Sequence, residues 1–227
     1  MNAAIIVAAG ASRRFKAATP KQFMKLGGLP VFLWSVLAFK KTGKFGQIIL
    51  VVPKDRVVKL KIPAAKYGFE AIPGGKERAD SVHEGIKKLK PGVKIVAIHD
   101  GARPLVSKGL ILRSLEAAKK FGAAVAAVPA NDTVKICSGL KVLKTTPRTN
   151  VWLAQTPQVF ARETIEYAFK KLRARKGITD DAQIAELAGK PVRVVPGEST
   201  NIKLTTKKDF DIAVFLLKTL RSGKKCT

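Results

Sequence analysis

Short apolar runs alternate along the chain with longer segments in which apolar residues recur at helical spacing. Near-continuous apolar strands separated by amphipathic helices are typical of a largely parallel sheet that helices cover on both faces. The pattern therefore predicts an α/β fold. Its expected strands are Ala3–Ala8, Gln47–Val52, Phe69–Ile72, Val93–Asp100, Ala123–Val128 and the run PVRVV, with a first helix at Val31–Lys40.

The ends of the later helices carry signals of their own. Ser107 is suited to cap a helix that Gly122 then ends, because helices favour a hydroxyl or carboxylate before their first turn and glycine after their last. Thr179 is expected to open a short helix. Thr206 and Asp209 have the spacing of a capping box, so a last helix is expected to follow them.

The alternation breaks between Pro129 and Gln155. This segment has alternating Thr and Val, a Ser-Gly-Leu turn and a second extended part, which predicts a β-hairpin arm that leaves the sheet. A lone hairpin is marginally stable in water, so we expect the arm to pack on a partner subunit. Length favours one domain over residues 1–227 that includes this arm at about 129–155.

Composition indicates a soluble globular protein. Of the 227 residues, 46% are hydrophobic and 26% charged, and no apolar run reaches the ~20 residues that a membrane-spanning helix needs. The N-terminal run has apolar residues before basic ones, the reverse of a secretory signal. Cys137 and Cys226 lack the spacing of a metal or redox site, so we expect a cytoplasmic location.

The chain is strongly basic. Its 43 Lys and Arg against 16 Asp and Glu give a formal net charge of +27, which attracts phosphate-rich ligands or nucleic acid. The basic residues are spread along the chain without a zinc-finger, RNP or helix-turn-helix pattern. A nucleic-acid-binding protein stays open as an alternative from another functional class.

A basic loop follows the first strand, at the edge where parallel sheets bind ligands. The backbone amides of Ala8, Ala9 and Gly10 can wrap a phosphate, while Arg14 and Lys21 supply positive charge. The stretch lacks the second glycine and the Gly-Lys-Ser/Thr of a P-loop and the glycines of a dinucleotide fingerprint. It therefore indicates another kind of phosphate site.

Two further loops end strands at this edge. In GGKERADSV, Gly74 and Gly75 allow close contact with a flat base, although a plain turn with Asp80 or Ser81 as helix cap is the alternative. In HDGARP, Asp100 could meet Mg²⁺, directly or through water. The alternatives are that Asp100 only pairs with Arg103 and that His99 is an ordinary strand-end histidine.

The motifs AAGASRR with TPKQ, GGKERADSV, HDGARP, NDTVK, PRTNVWLAQTPQ, TDDA and NIKLTT resemble, in order and spacing, those of the 2-C-methyl-D-erythritol 4-phosphate cytidylyltransferases. The resemblance spans about Ile5 to Leu217. It implies a Rossmann-like nucleotidyltransferase fold, a homodimer, Mg²⁺ or another divalent cation, and transfer of a cytidylyl group from CTP to methylerythritol phosphate with release of pyrophosphate, a step of non-mevalonate isoprenoid synthesis. A relative that uses another polyol phosphate, such as ribitol 5-phosphate, stays open.

The resemblance also implies roles for individual residues. Arg14 and Lys21 would be catalytic and clamp the triphosphate, supported by the amides of residues 8–10, and Gly75 and Ser81 would contact the cytosine. The partner's arm would bring a threonine and an arginine to the sugar phosphate, and the matching residues here are Thr133 and Arg148. The remaining substrate-binding residues would be Asp100, Thr156, Thr179 and Lys203. The chain departs from some relatives at Lys76 and from many at Pro147, which leaves the local contacts there open.

Overall fold

The computed structural model describes residues 1–10, 15, 19–172 and 177–221. Its strands are β1 (Asn2–Val7), β2 (Lys25–Leu26), β3 (Leu29–Pro30), β4 (Gln47–Val52), β5 (Glu70–Pro73), β6 (Ile95–Asp100), β7 (Ala123–Pro129), β8 (Val134–Ser138), β9 (Lys141–Thr146), β10 (Trp152–Ala161) and β11 (Arg193–Pro196). Its α-helices are α1 (Val31–Lys41), α2 (Lys61–Tyr67), α3 (Arg78–Lys87), α4 (Lys108–Phe121), α5 (Arg162–Lys171), α6 (Asp181–Leu187) and α7 (Lys207–Arg221).

The main sheet has seven strands in the order β11-β7-β10-β6-β1-β4-β5. Strand β10 runs antiparallel to both of its neighbours, and the other six strands run parallel to one another. The predicted α/β fold with a largely parallel sheet is confirmed. The sequence pattern did not predict β10 as a sheet strand, because the polar residues of LAQTPQ interrupt its apolar run.

The alternation of side chains along each strand divides the core into two layers. In β1, Ala4 and Ile6 join the buried cluster formed with α1 and α4, whereas Ala3 and Ile5 join the cluster formed with α3, α5 and α6. All four are fully buried. A strand covered on both faces must be apolar at successive positions, which explains the unbroken runs in the sequence. Within the described residues, no helix is both long and apolar enough to cross a membrane.

Several predicted helix ends are confirmed. Ser107 Oγ accepts a hydrogen bond from Leu110 N at 2.9 Å, and Gly122 follows α4 with a φ of 82°. At the start of α7, Asp209 Oδ2 accepts from Thr206 N at 2.6 Å, and Asp209 N donates to Thr206 Oγ1 at 3.3 Å. These contacts satisfy backbone groups that the first turn of a helix leaves without a partner.

The prediction that Thr179 opens the short helix is wrong by one residue. Asp180 is the cap, since its Oδ1 accepts from Gln183 N at 2.9 Å. Thr179 instead donates its N–H to Gln183 Oε1 at 2.8 Å. A carboxylate caps a helix as well as a hydroxyl does, so the residue types alone could not show which of the adjacent Thr179 and Asp180 is the cap.

Strands β8 and β9 form a separate two-stranded sheet that is the arm. The arm is shorter than the predicted 129–155, because residues from Trp152 onward pair with β7 in the main sheet. Four of its large apolar side chains are exposed: Ile136, Leu140, Val142 and Leu143. A hairpin with these side chains in water has no core of its own.

Candidate active site

Two adjoining cavities open at the edge where the parallel strands end. The first, about 270 Å³, lies between the loop after β1 and the start of α3. The second, about 200 Å³, lies between the first half of β10 and the start of α6. Both are lined by Arg78, Asp100 and Lys203. Two ligands bound in these cavities would therefore meet at the same charged side chains.

The loop after β1 is held by a buried amide. Gln22 Nε2 donates to Ala8 O at 2.8 Å and to Gly10 O at 2.7 Å, so this side chain fixes the backbone that forms one wall of the first cavity. Lys21, in a short 3₁₀ turn that follows Pro20, lines the same cavity. Arg14, the other predicted catalytic residue, lies outside the described residues.

The opposite wall of the first cavity requires glycine. A Cβ on Gly75 would lie 2.3 Å from Asp80 Cβ, far inside van der Waals contact. Ser81 Oγ accepts from Gly75 N at 3.1 Å and fixes the loop against α3. The alternative that Asp80 or Ser81 is the helix cap is wrong, because Glu77 is the N-cap of α3. Asp80 contributes from inside the first turn, where its Oδ2 accepts from Glu77 N at 3.2 Å.

Asp100 is the centre of a cluster of cations. Its Oδ1 lies 3.1 Å from Arg78 Nε, and its Oδ2 lies 2.7 Å from Lys203 Nζ and 4.0 Å from Arg103 Nε. Burial alone would raise the pKa of this carboxyl, but Arg78 and Lys203 hold it well below its usual range. The alternative of a simple pair with Arg103 is therefore incomplete, because Arg78 and Lys203 lie closer.

His99 is buried and engaged on both ring nitrogens. Asp100 N donates to Thr156 Oγ1 at 3.0 Å, so the Thr156 hydroxyl is left to donate to His99 Nδ1 at 3.1 Å. His99 Nε2 then donates to Arg103 O at 3.1 Å. Burial lowers the pKa of His99 to about 4. The imidazole is neutral at pH 7 and holds Thr156 and the loop after β6 in place.

The structure brings most of the predicted site residues together. The first cavity is lined by Ala8, Ala9, Gly10, Lys21, Gly75, Ser81, Asp100 and Lys203, and the second by Thr156 and Thr179 together with Asp100 and Lys203. Thr133 and Arg148 line neither cavity and are exposed beside the arm, where Arg148 Nη1 donates to Asn131 O. The substrate contacts assigned to all of these residues stay predictions.

Sequence reasoning missed Gln22, Arg78 and Asp181. Arg78 had a usable signal: it is the first residue of α3, where the helix dipole favours acidic rather than basic side chains. Its guanidinium is held by Asp100 and by Asp181, whose Oδ2 lies 2.8 Å from Arg78 Nη2. Burial alone would lower the pKa of Arg78, but these two carboxylates raise it above its usual value.

The described residues do not fit a metal site built by the protein alone. Among them, no group of three or more His, Cys, Asp or Glu side chains could hold a metal ion. Both oxygens of Asp100 already contact cationic side chains, so direct ligation by Asp100 would require these ion pairs to separate. Of the two predicted arrangements, a cation held by nucleotide phosphates fits this charge distribution better.

Comparison with known proteins identifies the family. The family model described as IspD, 2-C-methyl-D-erythritol 4-phosphate cytidylyltransferase, matches residues 2–219. The enzyme of that name from Endomicrobium trichonymphae is 45% identical over 96% of this chain and 99% of its own length. The one from Syntrophus aciditrophicus is 42% identical over 95% of each chain.

Solved structures agree. The crystal structure of 4-diphosphocytidyl-2C-methyl-D-erythritol synthase from Anaerococcus prevotii has a TM-score of 0.84 and 33% identity, with 96% of this chain and 98% of that chain covered. The cytidylyltransferase from Thermus thermophilus has a TM-score of 0.80 and 32% identity, with 96% and 100% covered. The fold is thus that of these nucleotidyltransferases, and the chain belongs to the 2-C-methyl-D-erythritol 4-phosphate cytidylyltransferase family.

Proposed function

We propose that this chain joins CTP to 2-C-methyl-D-erythritol 4-phosphate, giving 4-diphosphocytidyl-2-C-methyl-D-erythritol and pyrophosphate for isoprenoid synthesis. The observation that carries the proposal is the pair of cavities that share Arg78, Asp100 and Lys203. In the proposal the first cavity holds CTP and the second holds the sugar phosphate. Their phosphates then meet at the shared side chains.

The chemistry needs no general base. An oxygen of the substrate phosphomonoester, whose second pKa is about 6, attacks the α-phosphorus of CTP. A new oxygen–phosphorus bond forms while the bond to the β-phosphate oxygen breaks, and pyrophosphate leaves with that electron pair. The protein has to align two anions and stabilise the charge that develops between them. The neutral, fully engaged His99 is in keeping with this requirement.

The basic side chains of the site have different roles in this reaction. Lys21 lines the first cavity and, with Arg14, would stabilise the triphosphate and the charge that develops at the α-phosphorus. Lys203 lies between the cavities and would hold the attacking phosphate. A divalent cation bound to the triphosphate would neutralise part of its charge, and we treat it as part of the nucleotide substrate.

A substrate panel tests the proposal. Purified protein is given CTP, Mg²⁺ and either methylerythritol phosphate or ribitol 5-phosphate, and the release of pyrophosphate is followed. We expect faster release with methylerythritol phosphate, and a preference for ribitol phosphate would assign the chain to another polyol phosphate. Lys21→Ala should abolish turnover in a folded protein, whereas the control Lys25→Ala, an exposed lysine outside both cavities, should not.

The panel also separates this enzyme from a nucleic-acid-binding protein. Binding to nucleic acid through spread lysines would fall steeply with salt and survive Lys21→Ala. Turnover that depends on Lys21 would not be explained by such binding. An absence of pyrophosphate release with either alcohol phosphate would refute the proposed function.

The proposal includes a homodimer in which the arm of one subunit completes the site of the other. Its support is the position of Thr133 and Arg148, which are exposed and line neither cavity of their own chain. The exposed apolar side chains of the arm would be covered by the partner. Within this dimer each chain would form one cytoplasmic nucleotidyltransferase domain over residues 1–227.

Mixing inactive subunits tests the shared site. A dimer of Lys21→Ala and Arg148→Ala chains keeps one intact site, because the chain that retains Lys21 receives Arg148 from its partner. Mixing Lys21→Ala with Lys203→Ala is the control, since both lysines belong to the same chain's site and neither site is then intact. Recovery in the first mixture alone is expected. Equal inactivity of both mixtures after demonstrated subunit exchange would exclude the shared site.

A further inference from the structure

Arg78 occupies the junction of the two cavities. It lines both, and its guanidinium is held at two points, by Asp100 Oδ1 at 3.1 Å from Nε and by Asp181 Oδ2 at 2.8 Å from Nη2. A guanidinium has five N–H donors, so donors remain for phosphate oxygens after these two contacts. The carboxylates of Asp100 and Asp181 fix the orientation of the Arg78 guanidinium before any substrate binds.

Asp181 is a costly residue at its position. Its side chain is fully buried, and within the described part of the chain its Oδ1 has no hydrogen-bond partner. Removal of a carboxylate from water is energetically unfavourable, and an oppositely charged partner compensates for it only when the geometry of the pair is good. The contact with Arg78 is the property that the carboxylate has and an apolar side chain of similar size would lack.

Asp181 is not needed to cap its helix. Asp180 performs that function through Gln183 N, and Gln158 Oε1 accepts the backbone N–H groups of Asp181 and Ala182 at 3.0 and 2.8 Å. The side chain of Asp181 is thereby free to face Arg78. The ion pairs then run without a break from Asp181 through Arg78 and Asp100 to Lys203.

We propose that Asp181 is a positioning residue for cytidylyl transfer: it holds Arg78 between the two cavities, where Arg78 stabilises the charge that develops on the reacting phosphates. This inference rests on the proposed function. It makes Arg78 a catalytic residue in addition to Arg14 and Lys21. It also predicts that Asp181 acts on the reaction only through Arg78.

A double-mutant cycle tests the dependence. Asp181→Asn should lower kcat about 10-fold and change the KM of CTP by less than about 3-fold, because a misplaced group acts on the transition state more than on nucleotide binding. Arg78→Lys, which cannot bridge both carboxylates, should lower kcat about 100-fold. The double variant should match Arg78→Lys alone, since a residue that acts through Arg78 has nothing left to position.

Asp180→Asn is the matched control, because it changes the adjacent carboxylate at the same helix end without touching Arg78. In a double variant of Asp180→Asn and Arg78→Lys, the fold-reductions in kcat caused by the two substitutions should multiply. The inference is overturned if Asp181→Asn or Arg78→Lys keeps wild-type kcat. It is also overturned if the fold-reductions in kcat of Asp181→Asn and Arg78→Lys multiply in the double variant. Should Asp181→Asn fail to fold, Asp181→Ser takes its place with the same expected results.

The two levels of the proposal fail in different ways. An inactive wild-type protein in the substrate panel would contradict the proposed function. An active wild type with a fully active Asp181→Asn variant would contradict this inference alone.

Discussion

Gln22 offers a sharp test of how the first cavity is built. Its side chain is 3% exposed, and its Nε2 donates to the carbonyl oxygens of both Ala8 and Gly10. We predict that Gln22→Met, which keeps the length of the side chain and removes the donor, loosens the loop after β1. The KM of CTP should then rise, whereas the KM of the sugar phosphate should change little.

The magnitude follows from the two carbonyl groups. Ala8 is buried, so loss of its donor costs about 1–3 kcal/mol of unfolding free energy, because water cannot replace the bond. Gly10 is exposed, and its carbonyl can bind water at a smaller cost. For a chain of this length, each kcal/mol lowers the melting temperature by about 2–4 °C.

Gln47→Met is the matched control for this variant. Gln47 is also buried, at the opposite edge of the sheet, where its amide donates to Lys88 O at 2.9 Å and accepts from Lys90 N at 3.0 Å. Thermal unfolding should show a comparable loss of stability in both variants, and steady-state kinetics should show a higher KM of CTP in Gln22→Met alone. Equal values of this KM in the two variants would refute the role assigned to Gln22.

Three further predictions concern other parts of the molecule. Gly75→Ala places a Cβ 2.3 Å from Asp80 Cβ and should cost about 1–3 kcal/mol in thermal unfolding. In contrast, a Cβ on Gly10 meets no atom of the described residues within 4 Å, so Gly10→Ala should raise the KM of CTP at unchanged stability. An unstable Gly10→Ala would contradict this. Burial lowers the pKa of His99 from 6.5 to about 4, so the unfolded chain binds a proton before the folded chain does as the pH falls. The contribution of His99 to stability is therefore present above about pH 6.5 and should be lost towards pH 4. In thermal unfolding, His99→Gln should flatten this decline of stability with pH, and an unchanged slope would exclude His99 as its cause. Leu143 is 59% exposed on the arm and should become buried in the dimer. Leu143→Glu should therefore shift the sedimentation coefficient towards that of the monomer. A dimer as stable as that of the wild type would exclude this face of the arm as the interface.

The fold was largely predictable because each strand of the main sheet except β10 is dominated by one short apolar run, with a helix or turn on either side. The strand at Gln47–Val52 was predicted with its observed bounds, and the ends of α4 followed from Ser107 and Gly122. Strand β10 was missed because the polar residues of QTPQ interrupt its apolar run, and its pairing with β6 and β7 depends on distant parts of the chain. Local pattern could not supply that information.

The site was predictable where its residues come from one loop. The loops after β1, β5 and β6 were recognised because the ends of parallel strands meet at one edge. The contact between Arg78 and Asp181 joins residues 103 positions apart, and neither side chain signals the other in the sequence. Gln22 was missed for a related reason: a buried amide that supports a loop looks, in sequence, like any surface glutamine.

The charged cluster around Asp100 shows that the net charge of the chain and the local arrangement of charges have different effects. Arg78, Arg103 and Lys203 converge on Asp100, and like charges a few ångströms apart repel by several kcal/mol at an effective dielectric constant of ~20. Asp100 offsets this repulsion in the free protein, so the cations stand in place before the substrate phosphates arrive. Asp100 and Asp181 together leave these three cations with a net charge of +1, so most of the net +27 lies elsewhere on the chain. Net charge can raise the rate at which any polyanion approaches, but recognition of two particular phosphates has to come from the fixed geometry of this cluster.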